Sequence, residues 1–282
     1  MIAILSLLLS LCLWPCSGLA QILVAAPVNR DAPSARGLVA WWRAVPGTTG
    51  GPRLYDLLGR EPLVLANTTT RASTERPGGA GYAPFNGASA YGQTSVSPRF
   101  FPAEQTMMAW IKRTAAGGAS QALLSAGNSI ERQLSLTSSG ALAYVFNYGG
   151  GYTNGTFTGP NLAVGPWYHV AMMHSVLTGF GAYVNCQVQQ AFPPDGGTYP
   201  ALTQSMLIGA GDNGTLDFFS GLMDDVRIYN RGIPQGELCQ IMRESTRGEP
   251  TLLRAPLLAL GLPATVAPSA PLGNFFRFFG QP

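Results

Sequence analysis

Lysine is nearly absent from this chain, and charge of either sign is scarce. Charged residues make up 11% of the 282 residues, whereas about a quarter is usual for a soluble domain. Lys112 is the single lysine, and the arginines are scattered along the sequence rather than clustered. A net charge of +3 without a basic stripe argues against a nucleic-acid-binding protein.

Histidine is also rare, which limits the catalytic and metal chemistry open to the chain. The two histidines, His169 and His174, lie an odd number of positions apart in one predicted strand. They should therefore face opposite sides of that strand and cannot bind one metal ion together. We interpret them as strand histidines without a catalytic role. The G-x-S-x-G motif of serine hydrolases is missing as well.

The chain begins with an apolar run that predicts export. Residues 1–20 end in small residues, and Gly18 and Ala20 suit signal-peptidase cleavage before Gln21. Two alternatives rank lower: a lipoprotein with its lipid on Cys16, and a retained anchor, for which the run is short of the roughly 20 residues of a spanning helix. We expect a secreted or cell-envelope protein without a stable membrane span after cleavage.

Cleavage would leave two cysteines, Cys186 and Cys239. Two cysteines in an exported chain can form a disulfide. The other interpretation is two unpaired cysteines, one in a hairpin and one on a helix. The spacing favours neither.

Residues 37–247 show the pattern of an all-β domain. The 35 glycines and 22 prolines fit many turns between short strands. In the stretch 222–229, Leu222, Asp224, Val226 and Ile228 should face one side and the residues between them the other. A short helix is predicted next, with Pro234 in its first turn and an apolar stripe of Leu238, Ile241 and Met242.

Several segments resemble the laminin-G-like jelly rolls of the concanavalin A-like lectin and glucanase group. They are GLVAWW at 37–42, FNGASAY at 85–91, TMMAWIK at 106–112, WYHVA at 167–171 and GLMDDVRIYNR at 221–231. The resemblance covers roughly residues 37–243. It implies an antiparallel β-sandwich of jelly-roll type with one short helix after the closing strand. GAYVN at 181–185 is similar to a hairpin of the family, but Cys186 stands where the family has the turn glycine.

The resemblance also implies one structural Ca²⁺, held by carboxylates and backbone carbonyls. Asp224 is the candidate ligand because it falls on the mostly apolar face of its strand, where a carboxylate needs a cation or several donors. Asn86 would add a neighbouring oxygen. The alternative is that Asp224 accepts backbone N–H groups or pairs with an arginine. Asp225 and Arg227 are interpreted as a surface pair.

Ligand recognition is expected in loops at one rim of the sandwich. The Gly-rich stretch 149–160 and a second polar loop offer the aromatic, amide and hydroxyl groups that suit sugars. The candidate residues are Tyr148, Tyr152 and Asn154 in the first loop and Asp212 and Asn213 in the second. The alternative interpretation is that both are ordinary exposed loops.

Both ends of the chain differ in composition from the central domain. Residues 21–36 show no clear period and are interpreted as a leader. Residues 248–282 are rich in Pro, Ala and Leu and end in NFFRFFG at 274–280, so we expect a flexible tail. The alternative is a segment that docks on a protein partner, because four phenylalanines favour burial.

Together these features predict an exported binding module for carbohydrate or a cell-surface glycoconjugate. The alternative is a structural or adhesive protein of a cell envelope or virus particle, with the sandwich as spacer and the tail as dock. A glycan-cleaving enzyme is least favoured. The glucanase branch carries its carboxylates as E-x-D-x-x-E on one strand, a spacing missing here, and Asp224 and Asp225 should point to opposite faces. We therefore expect no catalytic residues.

Overall fold

The computed structural model describes residues 28–44, 50–79, 81–118, 120–127, 132–148, 151–193 and 201–246. Within these ranges the chain forms sixteen β-strands and one α-helix. None of the described helices has the length and apolar character needed to cross a membrane. The predicted signal segment 1–20 and the predicted tail 248–282 lie outside the described residues.

The strands and the helix are numbered in chain order. They are β1 (Leu38–Arg43), β2 (Arg53–Asp56), β3 (Leu63–Ala66), β4 (Arg71–Ala72), β5 (Gly81–Asn86), β6 (Tyr91–Phe101), β7 (Gln105–Arg113), β8 (Ser120–Ala126), β9 (Arg132–Thr137), β10 (Leu142–Tyr148), β11 (Gly151–Thr156), β12 (Trp167–Ser175), β13 (Gly179–Val184), β14 (Gln187–Phe192), β15 (Leu202–Ile208), β16 (Ser220–Tyr229) and α1 (Gln235–Thr246).

These strands form two antiparallel sheets that pack face to face. Sheet I has the order β1-β16-β7-β12-β13-β14, and β5 pairs with the first residues of β16. Sheet II has the order β11-β10-β9-β8-β15-β6-β3. Strand β2 pairs with β1 and with β3, and so links the two sheets. The predicted antiparallel β-sandwich with one helix after the closing strand is confirmed.

Alternating residues of both sheets build the core of the sandwich. Met107, Ala109 and Ile111 of β7 are buried there, in the same apolar cluster as Leu134 and Leu136 of β9. This alternation follows from the period of two along a strand, with successive side chains on opposite faces.

A second apolar layer covers the outer face of sheet I. Leu238 and Ile241 of α1 pack there with Trp41, Met108 and Tyr229 from three neighbouring strands. The predicted apolar stripe of the helix is therefore confirmed. Met242 packs against the same layer and is partly buried.

Part of the segment interpreted as a leader belongs to this second layer. Val28 is buried in it, and the Tyr229 hydroxyl donates to the Ser34 carbonyl at 3.0 Å. The described part of the segment, residues 28–36, shows no period because it forms a short 3-10 turn at Pro33–Ala35 and irregular chain rather than a regular strand or α-helix.

A β-bulge interrupts β16 where the sequence predicts regular alternation. Asp224 and Arg227 are three positions apart, but their partners on β7 are only two apart. The extra residue, Asp225, has a φ of 54°, the left-handed conformation found in such bulges. Val226 lies in the sandwich core, while Asp224 and Asp225 both lie in the layer under α1. The prediction that these two carboxylates face opposite sides is wrong.

The Gly-rich stretch at 149–160 is less irregular than predicted. Strand β11 pairs with β10 along residues 143–148 and forms the edge of sheet II. The glycines of this stretch predicted a loop. The adjacent strand provides backbone hydrogen bonds, and this tertiary context outweighs the weak strand propensity of glycine.

The turn between β13 and β14 keeps its tight geometry although Cys186 replaces the glycine. Asn185 and Cys186 have φ values of 47° and 70°, both left-handed as in a type I′ turn. Cys186 forms a disulfide with Cys239 of α1, with 5.0 Å between the Cα atoms. The paired interpretation of the cysteines is confirmed, and the disulfide ties the helix to sheet I.

Candidate functional site

Asp224, the predicted calcium ligand, lies in a buried ionic network between sheet I and α1. Its side chain is fully buried. Its Oδ2 accepts a hydrogen bond from Arg76 Nε at 2.9 Å and lies 2.8 Å from a terminal nitrogen of the same guanidinium. Its Oδ1 accepts the backbone N–H of Ala44 at 3.2 Å. Arg76 thus supplies the positive charge that the sequence analysis assigned to a cation.

Asn86 has a local role that is separate from Asp224. Its Oδ1 accepts the backbone N–H groups of Ala88, Ser89 and Ala90 at 3.0, 2.9 and 3.0 Å, and so closes the turn after β5. Asn86 pairs with Ser220, four positions before Asp224, which is about 13 Å along a strand.

The residues at Asp224 and Asn86 therefore do not fit a shared calcium ion. Calcium binds six to eight oxygens, and both oxygens of Asp224 already accept donors from the protein. The described part of the chain holds no group of three or more His, Cys, Asp or Glu side chains arranged for a metal. Calcium binding by this protein stays a prediction without an assigned ligand set.

Asp225 and Arg227 form a buried pair, which corrects the predicted surface pair. Arg227 donates from Nε and a terminal nitrogen to the two carboxylate oxygens at 2.8 and 3.1 Å, and Trp41 Nε1 donates to Oδ1. Burial by itself raises the pKa of Asp225, but the charges of Arg227, Arg43 and Arg76 outweigh it and hold the pKa well below its ordinary value. Asp225 is therefore ionised.

His169 borders this network, and His174 lies on the other side of the strand, as predicted. The His169 ring meets the Trp110 ring edge-on at 5.4 Å, whereas the His174 ring lies against Phe146 at 4.9 Å. Burial lowers the pKa of His169 to about 3. A neutral, buried imidazole is suited to packing rather than to proton transfer with a ligand.

The outer face of sheet II has a different character. One row of register partners crosses eight strands from β11 to β2. The row is Asn154, Val145, Gln133, Ser125, Leu207, Gln93, Val64 and Arg53. Flanking residues such as Leu134 and Met206 point into the core, so the row points outward. The α-helix α1 packs on the outer face of sheet I and not on this face.

A loop at residues 209–219 covers the middle of that row. Ser125 Oγ donates to the Ala210 carbonyl at 2.8 Å, and Gln133 Nε2 donates to Asp217 Oδ2 at 3.4 Å. Leu207 is buried but belongs to neither apolar cluster, because it lies under this loop on the outer face.

The backbone of the loop is strained at several positions. Asp212, Asn213 and Asp217 have φ values of 44°, 56° and 55°. Gly214 has a φ of +80°, and a Cβ there would lie 2.8 Å from the Tyr91 ring, so glycine lets the loop rest on that ring. Concentrated left-handed backbone of this kind occurs at ligand sites, where the surrounding structure compensates its cost.

Two shallow hollows lie on either side of the loop. The first, of about 250 Å³, is lined by residues including Ser135, Thr137, Val145, Asn154 and Thr156. The second, of about 510 Å³, is lined by residues including Arg53, Glu61, Val64, Tyr91 and Gln93. Their amides and hydroxyls donate and accept hydrogen bonds, and Tyr91 adds an aromatic ring.

Three of the predicted binding residues, Asn154, Asp212 and Asn213, share this face but do not converge on one pocket. Asn154 is exposed at its edge. Asp212 and Asn213 lie on the loop, where the Asn213 N–H donates to the carbonyl of Gly127 just after β8. Three strand spacings separate β11 from β8, or about 14 Å. Tyr148 and Tyr152 lie at the β10–β11 hairpin, and their side chains are not among those described.

Sequence reasoning missed three polar residues of this face: Gln93, Gln133 and Asp217. Gln133 is polar and directly precedes the apolar core residue Leu134 in β9. This alternation predicts that the Gln133 side chain points away from the core. No sequence signal places Asp217 over Gln133, because that contact joins residues 84 positions apart.

Comparisons with known proteins agree with this architecture. Residues 86–239 match the family model described as the concanavalin A-like lectin/glucanases superfamily. No curated protein matches the chain. Solved structures do match, but at sequence identities that show similarity of fold alone.

Two kinds of solved structure illustrate the similarity. The receptor binding domain of botulinum neurotoxin mosaic serotype C/D is 11% identical with a TM-score of 0.56, over 73% of this chain and 50% of that one. The Trypanosoma rangeli sialidase in complex with sialic acid is 16% identical with a TM-score of 0.57, over 82% of this chain and 37% of that one. The chain thus spans about half or less of the length of these proteins. Because the family model covers more than half of its sequence, this protein belongs to the concanavalin A-like lectin/glucanase superfamily, as a laminin-G-like β-sandwich.

Proposed function

We propose that this protein is an exported glycan-binding module whose ligand lies on the outer face of sheet II. The observation that carries the proposal is the row of outward-facing residues across eight strands, with a strained polar loop over its middle. Such a face offers an extended ligand several hydrogen-bonding groups on a rigid support.

The chemistry of the first hollow favours an uncharged, hydroxyl-rich ligand. Ser135, Thr137, Asn154 and Thr156 line it, and none of them carries a charge. Hydroxyls and amides act both as donors and as acceptors, as sugar hydroxyls do. A charged ligand would have no counter-charge at these four positions.

The structural neighbours guide the choice of ligands to screen. One neighbour is a receptor binding domain and another is a sialidase in complex with sialic acid. These descriptions belong to those proteins. They support including sialylated glycans beside neutral ones in a screen of this chain.

We propose binding without glycan cleavage. Retaining glycosidases need two carboxylates about 5 Å apart and open to the sugar. The adjacent carboxylates Asp224 and Asp225 are almost completely buried, and each is paired with an arginine. A sugar cannot reach them while α1 covers sheet I.

The disulfide supports the proposal of export. Disulfides persist in oxidising compartments and are rare in the cytosol, and the Cys186–Cys239 bond joins two elements of the folded domain. It therefore favours a secreted or envelope-associated location.

A glycan array with the full chain tests the proposed function. Hits are then titrated by calorimetry with Asn154→Ala and Thr156→Ala, two exposed residues of the first hollow, and with Gln187→Ala as a matched control, because Gln187 is exposed on the edge of sheet I. We expect each sheet II variant to lose about tenfold in affinity, or about 1.4 kcal/mol, and the control to bind like the parent. An array without hits, or equal binding by all three variants, would overturn the proposal.

A further inference from the structure

An apolar hollow on the outer face of sheet I is not explained by glycan binding. It has a volume of about 440 Å³ and lies beside the start of α1. Its lining includes Met173, Leu177, Phe180, Tyr183, Ala191 and Pro234. Met173, Gly181 and Ala191 are register partners on β12, β13 and β14. The small side chains of the glycine and the alanine leave space for the hollow on β13 and β14.

Large apolar side chains stand exposed next to this hollow. Leu177 is 81% exposed and Val176 is 48% exposed, and both lie in the turn between β12 and β13. Isolated exposed apolar residues are common, but here they adjoin an apolar concavity. A contiguous apolar surface of this kind indicates that another apolar group covers it.

One acidic residue lies at the same place. Glu104 lines the hollow, and its Oε1 accepts the Ser175 hydroxyl at 3.1 Å and the Val176 N–H at 3.2 Å. It forms no ion pair with any residue that the structure describes. The hollow therefore suits an apolar segment that also carries one positive charge.

We propose that this hollow is the docking site of the chain's own Phe-rich segment, residues 275–279, with Arg277 beside Glu104. This segment has four phenylalanines around a single arginine, which matches the apolar lining and the one carboxylate. It lies outside the described residues.

The connecting chain has a suitable length. Helix α1 begins beside the hollow and ends at Thr246, and its 12 residues span about 18 Å. As a random coil, the sequence from residue 246 to residue 275 would have a root-mean-square span of roughly 29 Å. Since this exceeds the helix length only modestly, the segment reaches the hollow at an effective concentration on the order of millimolar.

Trypsin cleavage of the full chain after Arg277 tests the docking. A docked Arg277 is protected, so two variants should expose it: one with all four phenylalanines changed to serine, and Ala191→Trp, which fills the hollow. We expect cleavage after Arg277 to become about tenfold faster in both. Val96→Trp is the matched control, because Val96 is an exposed strand residue of sheet II, and its cleavage rate should equal that of the parent.

Hydrogen exchange of the same proteins locates the contact. The four-serine variant should lose protection along residues 173–183 and 188–192, while sheet II amides stay unchanged. Unchanged cleavage and protection in both variants would overturn the proposal. Protection that rises with protein concentration would assign the hollow to a second copy instead, and protection that appears only with an added protein would assign it to a partner. Either result contradicts docking within one chain.

Discussion

The outer faces of the two sheets differ in whether their polar residues are buried or exposed. Sheet I buries its charges under α1, and each carboxylate there has an arginine partner within 3 Å. Sheet II leaves amides and hydroxyls at the surface, with only a loop across the middle. The charged residues under α1 are therefore parts of the fold, whereas some polar residues of the second face, such as Asn154 and Thr156, are exposed to solvent.

This difference shows that residue type alone does not identify a site. Asp224 and Asp225 are the most suggestive carboxylates in the sequence, because they stand together in a strand of apolar residues. The structure makes them inaccessible. Gln93 attracts no attention in the sequence, yet it is half-buried and lines a hollow on the outer face of sheet II.

Breaking the buried pair on sheet I should have the largest effect. Arg76→Ala leaves the buried side chain of Asp224 without its main partner, and we expect the free energy of unfolding to fall by about 3–5 kcal/mol. Arg99→Ala is the control, because the Arg99–Glu61 pair is partly exposed and should contribute less than about 1 kcal/mol. Urea unfolding measures both. Equal losses in the two variants would contradict the contrast between the faces.

Thermal unfolding with Ca²⁺ and with a chelator tests whether Asp224 binds calcium. A ligand that binds only the native state raises the unfolding midpoint. We expect Asp224→Ala to respond to Ca²⁺ and to a chelator in the same way as the parent protein, because Arg76 already pairs with Asp224. A rise with Ca²⁺ that Asp224→Ala abolishes would show that the carboxylate binds the metal after all.

Removing the disulfide from sheet I should have the next largest effect. The double variant Cys186→Ser/Cys239→Ser should lose about 2–4 kcal/mol of stability, because the disulfide no longer restricts the unfolded chain. Cys186→Gly/Cys239→Ser should lose about 1 kcal/mol less, since glycine adopts the left-handed turn without a Cβ penalty. Thermal unfolding distinguishes them, and identical midpoints would argue against strain at Cys186.

Acid should weaken the network under α1. The pKa of His169 is about 3 in the native state and about 6.5 in the unfolded chain, so between these values the unfolded state binds more protons. Stability is therefore full above about pH 6.5 and falls by about 1.4 kcal/mol per unit as the pH drops. Asp225, whose native pKa is also depressed, adds to the loss once the pH falls through the ordinary range of an aspartate.

The histidine contribution is measured by urea unfolding at several pH values with His169→Gln. We expect the variant to have a shallower dependence between pH 6.5 and pH 4, whatever its stability at neutral pH. Parallel profiles for the two proteins would show that His169 is not responsible for the acid sensitivity.

Changes on the exposed face of sheet II should have the smallest effect on stability. Asn154→Ala removes an exposed side chain, and we expect a change within about 0.5 kcal/mol. Its effect should appear in glycan affinity instead. A large loss of stability would show that Asn154 supports the fold rather than a ligand.

Much of the fold could be predicted because it depends on local patterns. Alternation located the main strands and put His169 and His174 on opposite faces, and the spacing of Leu238 and Ile241 predicted the buried stripe of α1. These features follow from backbone geometry over a few residues. The family motifs added the antiparallel sandwich.

The candidate site and the corrections depended on contacts that no local pattern encodes. The bulge at Asp225 directs both carboxylates, Asp224 and Asp225, toward the layer under α1. Arg76, the arginine that pairs with Asp224, lies 148 positions away in the sequence. Strand β11 formed because β10 lies beside it, and the loop at 209–219 came to rest on Tyr91. The sequence by itself determined which segments are strands and which side chains alternate. Only the tertiary structure decided which polar groups are paired and covered and which remain exposed, because burial depends on elements that are distant in the chain.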